Sequence, residues 1–384
     1  MDNKNYLFNL TPLRGIAALL TVLFHLNLGS NALLNPELSH GFDKLYLMVD
    51  FFFILSGFIM VHVYSGWFQN GFDRQAFKKF TIARFARVYP LHFFTLLYLI
   101  LLQGVYWLMG GTYNDPFSAN SFTLESIPTN LLLIHSMNIH GWFTWNNASW
   151  SISTEWWAYI VFPFLVYWFA NLKSVGRWLI ILACIGGYLS IIYFFQDLVT
   201  YPEGMEFIKP FAAKTLNVAY QYGYLRCIFG FVLGMMCYRL YQEKWGLKTL
   251  GNGYTLAVLG LVLFLFMHLF LLDLYIVLIF PFILLSASYG SKGMNSLFES
   301  KPMQKLGDWS FAIYLVHQPI IYTRETIHAL MVKNPPIGEA PAPSYLVNWL
   351  VAFGFITFTL LVSYLVYEKI EVPWRNKIKI KYSN

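Results

Sequence analysis

Apolar residues arrive in long runs along this chain, separated by short polar stretches. The runs cover residues 11–29, 45–65, 88–109, 150–171, 177–196, 216–240, 253–272, 274–290, 309–327 and 345–367. Each is near the length that crosses a bilayer as an α-helix, about 20 residues. In lipid every backbone N–H and C=O must find a partner inside the protein, which favours helices for runs of this kind. The pattern therefore predicts an all-α polytopic membrane protein with about ten transmembrane helices. A shorter run at 129–138, TNLLLIHSMN, is too short to span and is predicted to be re-entrant or interfacial.

Composition supports this class. Hydrophobic residues make up 57% and charged residues 12%, with mean hydropathy +0.51, whereas a soluble domain carries about 25% charged residues. Aromatics reach 20%, including 13 Trp and 26 Tyr, enough for interfacial belts and for a cavity lining. The net charge of +7 reads as membrane topology and not as nucleic-acid binding. Basic residues gather in alternate connections: Arg74, Lys78, Lys79, Arg84 and Arg87; Lys173 and Arg177; Arg239, Lys244 and Lys248; Lys292, Lys301 and Lys305; and the tail from Lys369 to Lys381. The intervening connections 30–44, 110–149, 197–215 and 328–344 are poorer in them. Cytoplasmic loops accumulate Lys and Arg, so both termini are expected in the cytoplasm. Counting 129–138 as a span would put one set of basic loops on the wrong side.

Residues 1–30, with Lys4 and the small pair Gly29–Ser30, do not fit a cleaved leader, because Arg14 comes too late and His25 interrupts the apolar region. Cys184, Cys227 and Cys237 form no disulfide or metal pattern and read as packing residues. With no repeat or hydrophilic region, residues 1–384 are expected to form a single membrane domain without an appended soluble one.

Candidate chemistry begins in the first run. Arg14 and His25 lie eleven residues apart in PLRGIAALLTVLFHLN, about three helical turns, so they share a face roughly 16 Å apart along the axis. Ionisable groups inside a bilayer are costly and mark sites by default. Imidazole suits general-base work. The plainer alternative is a snorkelling arginine and a histidine bonded to a neighbouring helix. The charge topology puts Arg14 near the cytoplasmic face and His25 towards the outer one.

Four further groups stand out. Arg84 and Arg87, at i, i+3, share a helix face at the cytoplasmic entry of the third run. Their planar forks suit phosphate, although ordinary loop topology also explains the charge. In NNASWSISTEWWAYIVFP, Glu155 is expected at the outer level of His25, where a carboxylate can orient an imidazole. Ser151, Ser153, Trp156 and Trp157 there offer hydroxyls and aromatic surface for carbohydrate or acyl recognition. Each of these also fits an interfacial helix start. Asn147-Ala-Ser149 matches a glycosylation sequon, a weak signal alone. Ser310, Tyr314 and His317 form a polar stripe at i, i+4, i+7, suited to lining a site or to interhelical bonding. Asp50 opens the second run on the outer side, and Ser56-Gly57 permits close helix approach. No HExxH, CxxC, GxGxxG or Walker sequence occurs, so no metal and no soluble nucleotide fold are expected.

Taken together, Arg14-x10-His25, DFFFILSGF at 50–58, Arg84-x-x-Arg87 before Tyr89-Pro90, WSISTEWWAY at 150–159, SFAIYLVHQP at 310–319 and YLVYEKIEVPWR at 364–375 resemble the acyltransferase 3 family of integral membrane acyltransferases. The resemblance implies transfer of an acyl group, acetyl first among the candidates, from acyl-CoA to a hydroxyl of an extracytoplasmic glycan or lipid-linked sugar. It implies a multi-pass protein of the inner (cytoplasmic) membrane with acyl-CoA as donor substrate and no permanently bound cofactor. It gives His25 a catalytic role and assigns Arg14, Arg84 and Arg87 to the donor; the reading of the residues themselves adds Glu155 beside His25 as a second catalytic group. Asp50, Ser153, Trp156, Tyr314 and His317 are then expected to line the substrate site. Direct transfer and a transient acyl-protein both remain open, and the sequence sets no oligomeric state. A transporter or flippase for a sugar or lipid-linked substrate is the second class, since intramembrane His, Glu and Arg also suit proton coupling. A haem-bearing oxidoreductase using paired histidines is the third.

Overall fold

A computed structural model of the chain describes residues 7–28, 32–35, 37–113, 115–206, 209, 214–290, 295–331 and 344–382. Lys4, Gly29, Ser30 and Lys292, used in the leader and topology readings, lie outside these residues. All ten apolar runs fold as helices, and no strand occurs among the described residues. They are α1 (Leu10–Leu26), α2 (Met48–Tyr64), α3 (Arg74–Leu108), α4 (Trp150–Phe169), α5 (Ser174–Tyr193), α6 (Gly223–Gln242), α7 (Thr255–His268), α8 (Asp273–Tyr289), then, after a short α9 (Lys301–Asp308), α10 (Ser310–Met331) and α11 (Tyr345–Val366). A π-helical turn, Tyr367–Glu371, joins α11 to α12 (Val372–Tyr382).

The protein is thus an all-α membrane protein. By length and composition, five helical stretches among the described residues are long and apolar enough to cross a bilayer: Leu45–Phe68, Arg74–Leu108, Ser174–Tyr193, Gly223–Gln242 and Tyr345–Lys381. The remaining runs fall short by one criterion or the other. α1, α7 and α8 have 17, 14 and 17 residues, at or below the lower end of a spanning length. The 35 residues of α3 extend roughly 50 Å, so its basic first turns project well beyond a hydrocarbon core of about 30 Å.

The chain forms two compact units. Unit 1 comprises Met1–Asp73, Phe162–Leu189 and Ile228–Phe311; unit 2 comprises Arg74–Val161, Ser190–Cys227 and Ala312–Asn384. Unit 1 is built on two crossings where glycine lets backbones touch. A Cβ added at Gly57 of α2 would lie 1.9 Å from the Phe231 carbonyl oxygen, and one at Gly234 of α6 would lie 1.9 Å from that of Ile54. The expected close approach at Ser56-Gly57 is therefore present. Gly307 of α9 meets α1 in the same way, its Cβ position 2.0 Å from the Thr11 carbonyl oxygen. Cys184, Cys227 and Cys237 are buried and free, in keeping with packing roles.

In unit 2 the 129–138 run makes no spanning helix. It gives a five-residue helix, Ile127–Leu131, then turns with left-handed backbone at Leu133 and Asn138 (φ 55° and 58°). Side chains hold this stretch against α4. Ser153 Oγ and Trp157 Nε1 donate to the Leu133 carbonyl at 2.8 and 3.0 Å, and Ser153 Oγ accepts from the Ser136 N–H at 3.4 Å. Ser153, expected from the sequence to line a substrate site, is fully buried and bonded to this loop.

Candidate active site

His25 occupies the last turn of α1, eleven residues beyond Arg14 on the same helix. An imidazole suits this end, where the helix dipole favours positive charge. Its Nδ1 lies 3.0 Å from the Thr21 carbonyl oxygen. A carbonyl only accepts, so Nδ1 carries the proton and Nε2 is the basic nitrogen. The Phe24 ring meets the imidazole edge-on with centroids 5.0 Å apart. Asp50 is completely buried in the first turn of α2.

Unit 1 also holds an ionic cluster that the sequence reading missed. Lys44 Nζ lies 2.6 Å from Asp273 Oδ1, with 4% and 0% of the two side chains exposed. Tyr46 OH donates to the other oxygen of Asp273. The ammonium also sits 3.9 Å from the Phe270 ring centroid, a cation–π contact. Tyr46 packs on Phe24 at 5.8 Å between centroids, so the ion pair reaches the His25 neighbourhood through two aromatic rings.

In unit 2 the structure brings Glu155 and Arg84 together, whereas the charge topology had put them at opposite faces. Tyr159 OH donates to Glu155 Oε1 at 2.5 Å, and the Arg84 guanidinium carbon lies 5.7 Å from the Tyr159 ring centroid. Phe85 meets Trp156 edge-on at 5.9 Å, fixing the same register. The correction has a simple cause: α3 is so long that residues 84 and 85, ten residues in, lie about 15 Å along it. Arg87 is not equivalent to Arg84. It donates to Glu371, which is 1% exposed and also lies 3.7 Å from Arg375. The π turn presents that carboxylate, and such turns are often found at functional sites.

Tyr314 OH and Ser151 Oγ are 2.7 Å apart. His317 is fully buried one turn along, with its ring centroid 6.0 Å from that of Tyr314 and Nδ1 3.3 Å from the Ile313 carbonyl oxygen. Tyr314 and His317 of the α10 stripe are thus bonded within unit 2. A mainly apolar cavity of about 600 Å³ runs along α3, α10 and α11, with Thr95, Tyr98, Thr323 and Arg324 as its polar residues. None of the site residues expected from sequence lines it.

Residues 9–368 match the acyltransferase domain of the acyltransferase 3 family. The chain belongs to that family. Among curated proteins it is similar to the peptidoglycan O-acetyltransferase OatA of Listeria monocytogenes, with 21% identity across 99% of this chain and 57% of the relative. It therefore spans little more than half the length of that protein. A second similarity, to Protein 2 in picA locus of Rhizobium radiobacter, reaches 40% identity over 85 residues, 22% of this chain and 38% of that one. No solved structure matches.

The acyltransferase 3 match takes in Arg14, His25, Arg84, Arg87, Glu155 and Tyr314, and stops three residues short of Glu371. It also takes in a pair of buried histidines. The rings of His92 and His135 stack at 5.8 Å and 3°. His92 Nε2 donates to the Asn130 carbonyl at 2.9 Å. Ser149 Oγ donates to the Asn146 carbonyl at 2.7 Å and lies 3.1 Å from His135 Nε2. Ser149 is fully buried, which removes the sequon at Asn147 from easy recognition.

This acyltransferase 3 domain should consequently lose stability in acid. Burial first, then the neighbouring His92, pushes the His135 imidazole down from 6.5 to about 3. Between those values the unfolded chain binds a proton that the folded chain refuses, so stability is complete above the unfolded value and falls as pH drops. At pH 5 the expected loss is about 2 kcal/mol relative to pH 7.5. Denaturation midpoints of wild type and His135→Asn across that range provide the check. An unchanged pH slope in the variant would remove His135 as the cause.

Proposed function

We propose that the chain is a membrane O-acyltransferase that moves an acyl group, acetyl first, from cytoplasmic acyl-CoA to a hydroxyl of an extracytoplasmic glycan or lipid-linked sugar. About ten spans with both termini in the cytoplasm of an inner-membrane protein complete this reading. Family membership and the O-acetyltransferase relative support it. The observation that supports the chemistry is the bond from His25 Nδ1 to the Thr21 carbonyl, which leaves Nε2 as the basic nitrogen.

In the proposed reaction the acceptor oxygen bonds to the acyl carbon while its proton passes to His25 Nε2. The tetrahedral intermediate collapses, the C–S bond of the thioester breaks, and the thiolate leaves with the proton held by His25. Arg14 and Arg84 are proposed to meet the phosphates of the donor. Arg87, already engaged by Glu371, would steady the same face. Glu155 orders Tyr159 beneath Arg84.

Purified protein given acetyl-CoA with an isotopic acetyl label and a glycan acceptor should release free CoA and yield labelled glycan. Absence of turnover, with sugar instead crossing a sealed vesicle, would establish the transporter class in its place. Arg84→Gln should weaken donor binding roughly 10- to 100-fold, the equivalent of one charge-assisted phosphate contact. An unchanged Kd would take Arg84 out of the donor site. Replacing Arg87 as well would confuse the result, because it leaves the buried Glu371 short of a partner.

A further inference from the structure

Arg226 was not singled out by the sequence, yet it is 1% exposed and among the largest fully buried side chains. A buried guanidinium costs several kcal/mol in desolvation unless its surroundings compensate. Unlike lysine, arginine does not escape by losing its proton. A fixed cation in the interior of an acyltransferase domain therefore calls for a reason.

Its surroundings supply one. Arg226 lies one turn into α6, three residues after Gly223. The Trp150 ring packs directly on the Gly223 backbone, so close that a Cβ there would come within 2.9 Å of it. The guanidinium carbon lies 5.5 Å from the Trp150 ring centroid, inside cation–π range. Trp150 is followed by Ser151, whose hydroxyl lies 2.7 Å from that of Tyr314. Tyr314 is within electrostatic reach of both Arg226 and Glu155. The Tyr314 hydroxyl, bonded to Ser151, therefore lies in the field of a buried positive charge that stacks on the neighbouring Trp150. Fixed dipoles and charges in a site without water stabilise developing negative charge far better than they would in solution.

We propose that Arg226 is a positioning residue for acyl transfer: held over Trp150, it orients and polarises the Ser151–Tyr314 hydroxyl pair to donate to the acyl carbonyl oxygen as negative charge builds on it. The inference rests on the O-acyltransferase reading above.

The test measures steady-state transfer from acetyl-CoA by full-length protein, with each rate divided by the amount of folded, monodisperse enzyme. Arg226→Lys keeps the charge but loses the planar fork that stacks on indole. Its kcat should fall about tenfold and its KM for acetyl-CoA should stay within about twofold. Arg226→Met should fall further, roughly 100-fold, the scale of one lost oxyanion donor. Because Arg226 acts through Tyr314, Arg226→Lys added to Tyr314→Phe should cost nothing beyond Tyr314→Phe alone. A merely structural Arg226 would lower the melting temperature and leave kcat per folded molecule unchanged. A wild-type kcat in Arg226→Lys, or losses that multiply independently, overturns the proposal even if Arg226→Met fails to fold. Absence of turnover in the wild-type protein is a different result: it removes the O-acyltransferase reading, and this inference with it.

Discussion

His25→Ala should lose acyl transfer by about 10²- to 10⁴-fold, the usual contribution of a positioned general base, while the protein still inserts and purifies as a folded species. His25 sits half-buried in the last turn of α1, and its Nδ1 bonds to the Thr21 backbone carbonyl. That carbonyl belongs to the helix and gains no unpaired buried charge when the ring is removed. The KM for the donor should be nearly unchanged, since the proposed phosphate contacts are made by arginines; an interaction made only in the transition state lowers kcat alone. Mass spectrometry of the acceptor, with rates normalised to folded protein, gives the measurement. A wild-type rate in His25→Ala would remove His25 from the reaction whatever the family resemblance implies.

The helices were legible because their signal is local. Each run carries its own hydropathy, and the requirement to pair backbone groups in lipid converts it to helix with little help from neighbours. The α1 pair was legible for the same reason, since Arg14 and His25 share one helix and its 3.6-residue turn. Charge partners were not legible. Lys44 and Asp273 are separated by 229 positions, and Arg87 and Glu371 by 284. In sequence Asp273 reads as an acidic residue at a helix start, and Lys44 as a stray cation in a loop poor in them. Arg84 and Arg87 looked alike because spacing reports a shared face and says nothing of what lies opposite. The shared neighbourhood of Glu155 and Arg84 was not legible because loop charges fix the direction of each helix but not how far a 35-residue helix slides along its axis. Arg226 does not stand out in the sequence, since burial of a single arginine leaves no mark on periodicity.

The Lys44–Asp273 pair should produce the largest stability effect in the molecule. Asp273→Leu leaves the Lys44 ammonium buried without its carboxylate, and breaking a buried pair in this way costs about 3–5 kcal/mol. Lys44→Met should cost about as much, because it strands a carboxylate that is 0% exposed. The double variant Lys44→Met/Asp273→Leu removes both charges and should recover most of the loss, since apolar replacements of a buried pair are often neutral or stabilising. Thermal or denaturant unfolding of the purified proteins measures all three. Single variants as stable as wild type would mean that the ion pair contributes nothing to the fold. The aromatic path from Asp273 through Tyr46 and Phe24 to His25 gives the pair a second consequence. Tyr46 loses its acceptor when Asp273 becomes Leu, so the double variant should regain stability without regaining full transfer activity. Tyr46→Phe leaves the ion pair intact and cuts only that path. A fall in kcat there at unchanged stability would show the cluster to be a support for His25 as well as a brace for unit 1, and an unchanged kcat would leave it as a brace alone.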